Sequence, residues 1–302
     1  MEFLIVLYVI ILGIVEGITE WLPVSSTGHL IIAEKIFSFM IDNEAIFTDG
    51  FMEMFDVLIQ LGAILAVVII FFKKIWPFGF DPKTVTEENQ KDKLIEDNLY
   101  LTKKDKWILW AKVLVACVPA AIIGLLFDDF IDSLFYNPLT ISITLIIYGI
   151  LFIVIENIAK KKEFRVQNVR DLSFRYALII GAIQLLALIP GTSRSGVTIL
   201  GAILLSCDRK VAAEFSCCLS IPVMFGASLL KLVKFLNEYS FTNNQFILLA
   251  IGMLVSFTVS ILTVKALMNF LKSHTFKGFG VYRIVFGVIL IVLILSGFLH
   301  AF

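Results

Sequence analysis

The chain alternates long apolar runs with short polar breaks, and run length sorts them. Six runs, near residues 54–72, 107–127, 138–156, 212–236, 245–270 and 279–299, are long enough for a helix to cross a ~30 Å hydrocarbon layer at ~20 residues per crossing. Two further apolar regions, 2–40 and 175–206, are broken near their middles by polar islands: EGITEWLPVSSTGH from Glu16 to His29, and PGTSRSGVT from Pro190 to Thr198. Each break contains Pro and Gly (Pro23 and Gly28; Pro190, Gly191 and Gly196), which predicts two short helices joined by a turn. Backbone outside a helix is tolerated at membrane depth only where protein buries it or it lines a wet cavity. Each broken region is therefore either a re-entrant hairpin or a kinked single span.

Loop charge decides between the two. The 73–106 loop carries eight lysines, and 157–175 carries Lys160, Lys161, Lys162, Arg165, Arg170 and Arg175. The loops near 41–53, 128–137 and 237–244 have neither Lys nor Arg. Basic loops stay cytoplasmic. If 175–206 crossed once, Arg209, Lys210 and the basic stretch Lys272, His274, Lys277 would lie outside; if it re-enters, they lie inside. Lys231 and Lys234 near an outer helix end count modestly against the scheme, which nonetheless fits the other loops.

An internal repeat points the same way. G-I-V-E at Gly13 to Glu16 parallels G-A-I-Q at Gly181 to Gln184, and Gly13/Gly181, Glu16/Gln184 and Gly28/Gly196 share one offset of 168. The expected fold is an all-α integral membrane protein, an inverted-repeat helical bundle with six transmembrane helices and two re-entrant hairpins. Residues 1–158 form the first repeat, with hairpin 2–40, three spans and the cytoplasmic loop 73–106. Residues 159–302 form the second, with hairpin 175–206 and three spans. Three spans per half is an odd number, so the halves are inverted, and such repeats place a site near the midplane where broken helices meet.

Composition agrees: 59% of the 302 residues are hydrophobic, 28 are phenylalanine, and mean hydropathy is +0.94. That is a polytopic membrane protein rather than a soluble domain. Zero formal net charge gives no reason to invoke nucleic acid. Cys117, Cys207, Cys217 and Cys218 lie in or beside apolar runs without metal-type spacing and read as reduced packing residues. The first segment lacks a basic leader and is followed at once by Glu16 and Glu20, so no signal cleavage is expected.

Ionisable residues at membrane depth by default mark a functional site. Glu16 and Glu20, four apart, share a helix face. Such a pair can bind Mg²⁺ or Ca²⁺ through oxygen, or divide acid and base duties; the bland reading is two acids at a wet helix end. Ser25, Ser26, Thr27 and His29 combine a phosphate cradle with a serine and a histidine, the minimum set for nucleophilic displacement, though turn and cap chemistry uses the same residues. Arg194, between Ser193 and Ser195, suits bidentate phosphate binding rather than snorkelling. Thr192 and Thr198 either add hydroxyl donors or cap the helix. Lys112, Glu214 and Arg283 lie near span ends and read as interfacial.

The E-x-x-x-E pair followed by PVSSTGH, together with PGTSRSG, resembles the undecaprenyl pyrophosphate phosphatase family associated with bacitracin resistance. The likeness extends through FDVLIQLGAILAVV from Phe55 to Val68 and AAEFSCCLSIPVMFGA from Ala212 to Ala227, and so covers nearly the whole chain. The resemblance implies a multi-pass enzyme of the bacterial plasma membrane, often dimeric, with its site open toward the outer face. It would hydrolyse the terminal phosphate of the C55 isoprenyl diphosphate, giving the carrier lipid for peptidoglycan, with Mg²⁺ or Ca²⁺ required. Carried over by motif, Glu16, Glu20, Ser26, His29 and Arg194 are the catalytic set, Glu16 and Glu20 also serving the metal. Ser25, Thr27, Ser193, Ser195 and Thr198 then bind substrate. Ser26, His29 or an activated water are alternative nucleophiles. The rival reading is a secondary transporter or lipid flippase, which the topology alone would favour.

Overall fold

The computed structural model describes residues 3–38, 47–78, 101–161 and 163–299. Most of the 73–106 loop, together with residues 2, 39 and 40 at the edges of the first apolar region, falls outside them. The first region forms α1 (Phe3–Thr19) and α2 (Ser26–Ser38), and α3 (Asp49–Ile70) follows, then the single turn α4 (Phe72–Ile75). Next come α5 (Lys103–Phe135), α6 (Pro138–Ala159), α7 (Phe174–Gln184) and α8 (Arg194–Leu204), with a 3₁₀ turn at Leu185–Leu188. The chain ends on α9 (Arg209–Glu238), α10 (Asn243–Phe270) and α11 (Lys277–Leu295). Among the described residues there is no strand, only an isolated bridge between Val166 and Cys207.

Among the described residues, six helices are long and apolar enough to cross a membrane: α3, α5, α6, α9, α10 and α11. They coincide with the six long runs of the sequence. Both broken regions are pairs of short helices, as the prolines require. At 1.5 Å per residue α7 and α8 rise only about 17 Å each, roughly half the hydrocarbon thickness. α1 packs on α2, and α7 on α8.

The first helix of each pair packs on a long span. α1 lies along α10, and α7 lies along α5. Small residues permit the approach. A Cβ on Gly13 would stand 2.8 Å from the Gly252 carbonyl oxygen, and one on Gly17 2.8 Å from that of Ser256. Close backbone packing of this kind is how helices associate where lipid removes the hydrophobic drive between them. α6 and α11 share the most extensive contact, and there a Cβ on Gly149 would meet the Gly280 carbonyl at 2.7 Å.

Polar residues near span ends pair within the protein. The Glu156 carboxylate, fully buried, receives Arg209 in a fork (Nε 2.9 and 3.0 Å, Nη2 2.6 Å) and the Phe276 backbone N–H at 3.0 Å. Lys74 pairs with Glu214, and Lys112 donates to the Arg170 carbonyl at 2.8 Å. Arg283, read from sequence as interfacial, is not: it is 0% exposed and bound inside the bundle. Its position within an apolar run carried that signal, since a lone charge there defaults to a functional or structural role.

Candidate active site

The two polar islands meet. After α1 the chain continues for a further turn, with Glu20 N–H donating to the Glu16 carbonyl at 3.0 Å, then breaks at Pro23. It restarts as a helix at Ser26 after Ser25, whose φ is +74°. The second island restarts in the same manner: Ser193 has φ +70° and Arg194 opens α8. Ser193 Oγ caps that helix by accepting from Gly196 N–H at 3.2 Å, and lies 3.2 Å from Ser195 Oγ.

Glu20 is the junction. One carboxylate oxygen accepts from Arg194 Nη2 at 2.9 Å, the other from Ser26 Oγ at 3.2 Å. Its backbone carbonyl accepts Ser195 Oγ at 3.1 Å. Arg194 Nη1 donates to the Ser216 carbonyl in α9 at 3.0 Å, while its Nε is buried and has no partner among the described residues. An ion pair on a nearly buried arginine is a strong electrostatic feature. It also leaves the guanidinium with donors to offer a ligand.

Both helix breaks are tied to α11 by Arg283. Its Nη1 donates to the Pro23 carbonyl at 3.2 Å, and its Nη2 to those of Gly191 and Thr192 at 2.9 and 3.1 Å. Thr144 Oγ1 adds a contact from α6 to the Pro190 carbonyl at 3.0 Å. Carbonyls left over where a helix breaks must find donors when buried, and here one guanidinium serves both breaks.

Among the expected site residues, Glu20, Ser26, Ser195 and Arg194 form one connected cluster, and Ser193 reaches it through Ser195. Thr198 is engaged elsewhere: its hydroxyl reaches the Arg194 carbonyl at 2.9 Å and Ser216 Oγ at 2.7 Å, tying α8 to α9. Ser25 is buried and Thr27 half-buried beside Ser26. His29 does not meet Ser26, the partnership its spacing suggested. Its Nδ1 bonds the Ser25 carbonyl at 2.7 Å and its Nε2 bonds Tyr282 Oη at 2.7 Å. Tyr282 and Arg283 were missed as site residues because their partners lie far from them in sequence.

Glu16 is the carboxylate with free oxygens. It is 0% exposed, and neither oxygen has a hydrogen-bond partner among the described residues. A buried, unneutralised carboxylate is costly, and one aligned with Glu20 on the same helix face suits a hard divalent cation. Among the described residues no three His, Cys, Asp or Glu side chains gather into a metal cluster. Oxygen atoms of a phosphate ligand would have to complete such an ion's shell. The chemistry available is therefore a hydroxyl bonded to a carboxylate, an arginine fork, and an acid free to take a cation, which suits transfer of a phosphoryl group.

Comparison with known proteins follows the same line. The family described as bacitracin resistance protein BacA matches residues 9–289. A protein of Acetivibrio thermocellus named undecaprenyl-diphosphatase is 52% identical over 287 residues, covering 95% of this chain and 97% of its own. Relatives of the same name in Enterococcus faecalis and Lactiplantibacillus plantarum are 54% and 49% identical over 283 residues, each covering 93% of this chain and 95% of its own.

Proposed function

We propose that this chain, which belongs to the bacitracin resistance protein BacA family, cleaves its substrate where Glu20, Ser26 and Arg194 meet. It is an undecaprenyl-diphosphatase, a multi-pass membrane hydrolase that removes the terminal phosphate of the C55 isoprenyl diphosphate. The observation that carries the mechanism is the double engagement of Glu20, bonded at once to the Ser26 hydroxyl and the Arg194 guanidinium from the far half of the chain.

In this reading Arg194 binds the diphosphate through its fork and stabilises the charge that develops on the transferring group. Ser26 Oγ attacks the distal phosphorus while Glu20 takes its proton. The bond to the bridging oxygen breaks, undecaprenyl phosphate leaves with that electron pair, and the proton on Glu20 passes to it. Glu20, ionised again, accepts a proton from the water that cleaves the serine phosphoester. The phosphorus–Oγ bond breaks with its electron pair going to Ser26 Oγ, which takes the proton back from Glu20, and inorganic phosphate departs. His29, with both nitrogens engaged away from Ser26, supports Ser26 over His29 as nucleophile.

Glu16, with Glu20 beside it, would hold Mg²⁺ or Ca²⁺. A bound divalent cation supplies neutralisation of the diphosphate's charge. Ser25, Thr27, Ser193 and Ser195 line the two turns as hydroxyl donors. All these groups come from one chain, so each copy of a homodimer would carry its own site. The exposed apolar faces of the spans are covered by membrane lipid, and the site opens to the outer face of the bacterial plasma membrane.

The test is direct. Purified protein in detergent, given undecaprenyl diphosphate labelled at the terminal phosphate, should release inorganic phosphate and, on rapid quenching, carry label on Ser26. Transport needs two compartments and hydrolysis does not, so turnover in detergent excludes transport as the sole activity. Full activity in Ser26→Ala would remove the serine nucleophile.

A further inference from the structure

We propose that Tyr282 is a positioning residue for this reaction, acting on the nucleophile through His29; the inference rests on the assignment of Ser26 made above. Tyr282 lies in α11, 253 residues from its partner. Its hydroxyl is 2.7 Å from His29 Nε2, and its ring lies nearly parallel to the imidazole at a centroid distance of 5.8 Å. Phe286, one turn further along the same helix, stacks on the imidazole at 4.1 Å with the planes 13° apart. Residues four apart share a helix face, so α11 presents an aromatic seat that receives one ring.

The hydrogen-bond directions follow from the groups. A carbonyl oxygen only accepts, so the 2.7 Å bond to Ser25 requires a hydrogen on His29 Nδ1. In the neutral imidazole Nε2 is then the lone-pair nitrogen, and the Tyr282 hydroxyl donates to it. The ring is thus held at both ends, and its basic nitrogen faces tyrosine rather than serine.

The far end of this chain of contacts is the catalytic turn. Ser25 holds φ at +74°, a conformation disfavoured for any residue with a Cβ. It persists only where its surroundings enforce it, and its carbonyl is pinned by His29 Nδ1–H. The next residue is Ser26, whose hydroxyl must point at Glu20. Tyr282 fixes the imidazole, the imidazole fixes the Ser25 peptide, and the peptide aims Ser26. His29 on this account orients the nucleophile and does not take its proton.

The experiment is steady-state hydrolysis of undecaprenyl diphosphate by purified wild type, Tyr282→Phe, His29→Ala and the double variant. Phenylalanine keeps the ring and removes only the hydroxyl, so the melting midpoint in detergent should stay near that of wild type. Because small misplacement of a reacting group is costly, kcat should fall on the order of tenfold, with KM within about twofold. A residue acting wholly through its neighbour adds nothing once that neighbour is gone, so the double variant should match His29→Ala. Wild-type kcat in Tyr282→Phe, or losses that multiply in full in the double variant, would overturn the proposal while leaving the assigned activity standing. Absence of turnover in wild type itself would overturn both.

Discussion

Ser25 and Ser193, 168 residues apart, hold nearly the same left-handed backbone angle, φ +74° and +70°, and each stands immediately before a helix of the site. In the first case the next residue is Ser26, in the second Arg194, so both side chains project from the first position after a strained turn. The spacing equals the offset found between Gly13 and Gly181 in the sequence. A backbone angle of this kind costs roughly 1–2 kcal/mol at a residue with a Cβ, a cost that buried contacts at both turns must offset.

The strain makes a stability prediction. Ser193→Gly removes the unfavourable Cβ but also the cap hydroxyl, which for glycine amounts to a few tenths of a kcal/mol. Its melting midpoint in detergent should equal or slightly exceed that of wild type. Ser193→Val adds branching at the same angle and loses the cap, and should lower stability by about 2 kcal/mol or more. Equal midpoints for the two variants would show that the turn is not strained.

Arg194→Lys preserves charge and loses the fork. Lysine cannot serve Glu20, the Ser216 carbonyl and a phosphate together. Hydrolysis should fall by about 100-fold, the scale of losing one transition-state charge contact. Near wild-type turnover would reduce Arg194 to bulk electrostatics.

Glu16 and Glu20 should separate by metal dependence. Glu16 has free oxygens, whereas Glu20 is bonded to Arg194 and Ser26. Glu16→Gln should raise the Mg²⁺ or Ca²⁺ concentration needed for half-maximal rate, with activity recovering at high metal. Glu20→Gln should lose activity that added metal does not restore, because a neutral amide cannot take the Ser26 proton. Rescue of Glu20→Gln alone by metal would exchange the two roles.

We also propose that both hairpins re-enter, so that both chain termini lie outside and each half is one hairpin with three spans. In a cysteine-free background, single cysteines at positions 90, 165 and 209 should be labelled from the cytoplasm, and one at position 240 from outside. An external position 209 would mean that the second hairpin crosses.

Much of this architecture is legible one residue at a time. Hydrophobic run length suffices for six spans, because the thickness of the hydrocarbon layer sets a minimum that composition alone can meet or fail. Proline, glycine and clustered polar residues suffice for the two broken regions, because a helix stops where its backbone bonds and torsions cannot continue. Charges inside apolar runs announce Glu16, Glu20 and Arg194 by their desolvation cost. None of these signals specifies a partner. Spacing suggested His29 for Ser26, yet Ser26 meets Glu20, and His29 meets a tyrosine in the last helix. Arg283 looked interfacial, yet it binds the carbonyls of both turns. Those choices depend on how closely α11 lies against α6 across Gly149 and Gly280, and α1 against α10 across Gly13 and Gly17. Composition and periodicity determine which segments are buried in the membrane; which side chains face one another is decided by helix packing in three dimensions, where a few ångströms of backbone approach select among many polar partners of equal intrinsic strength.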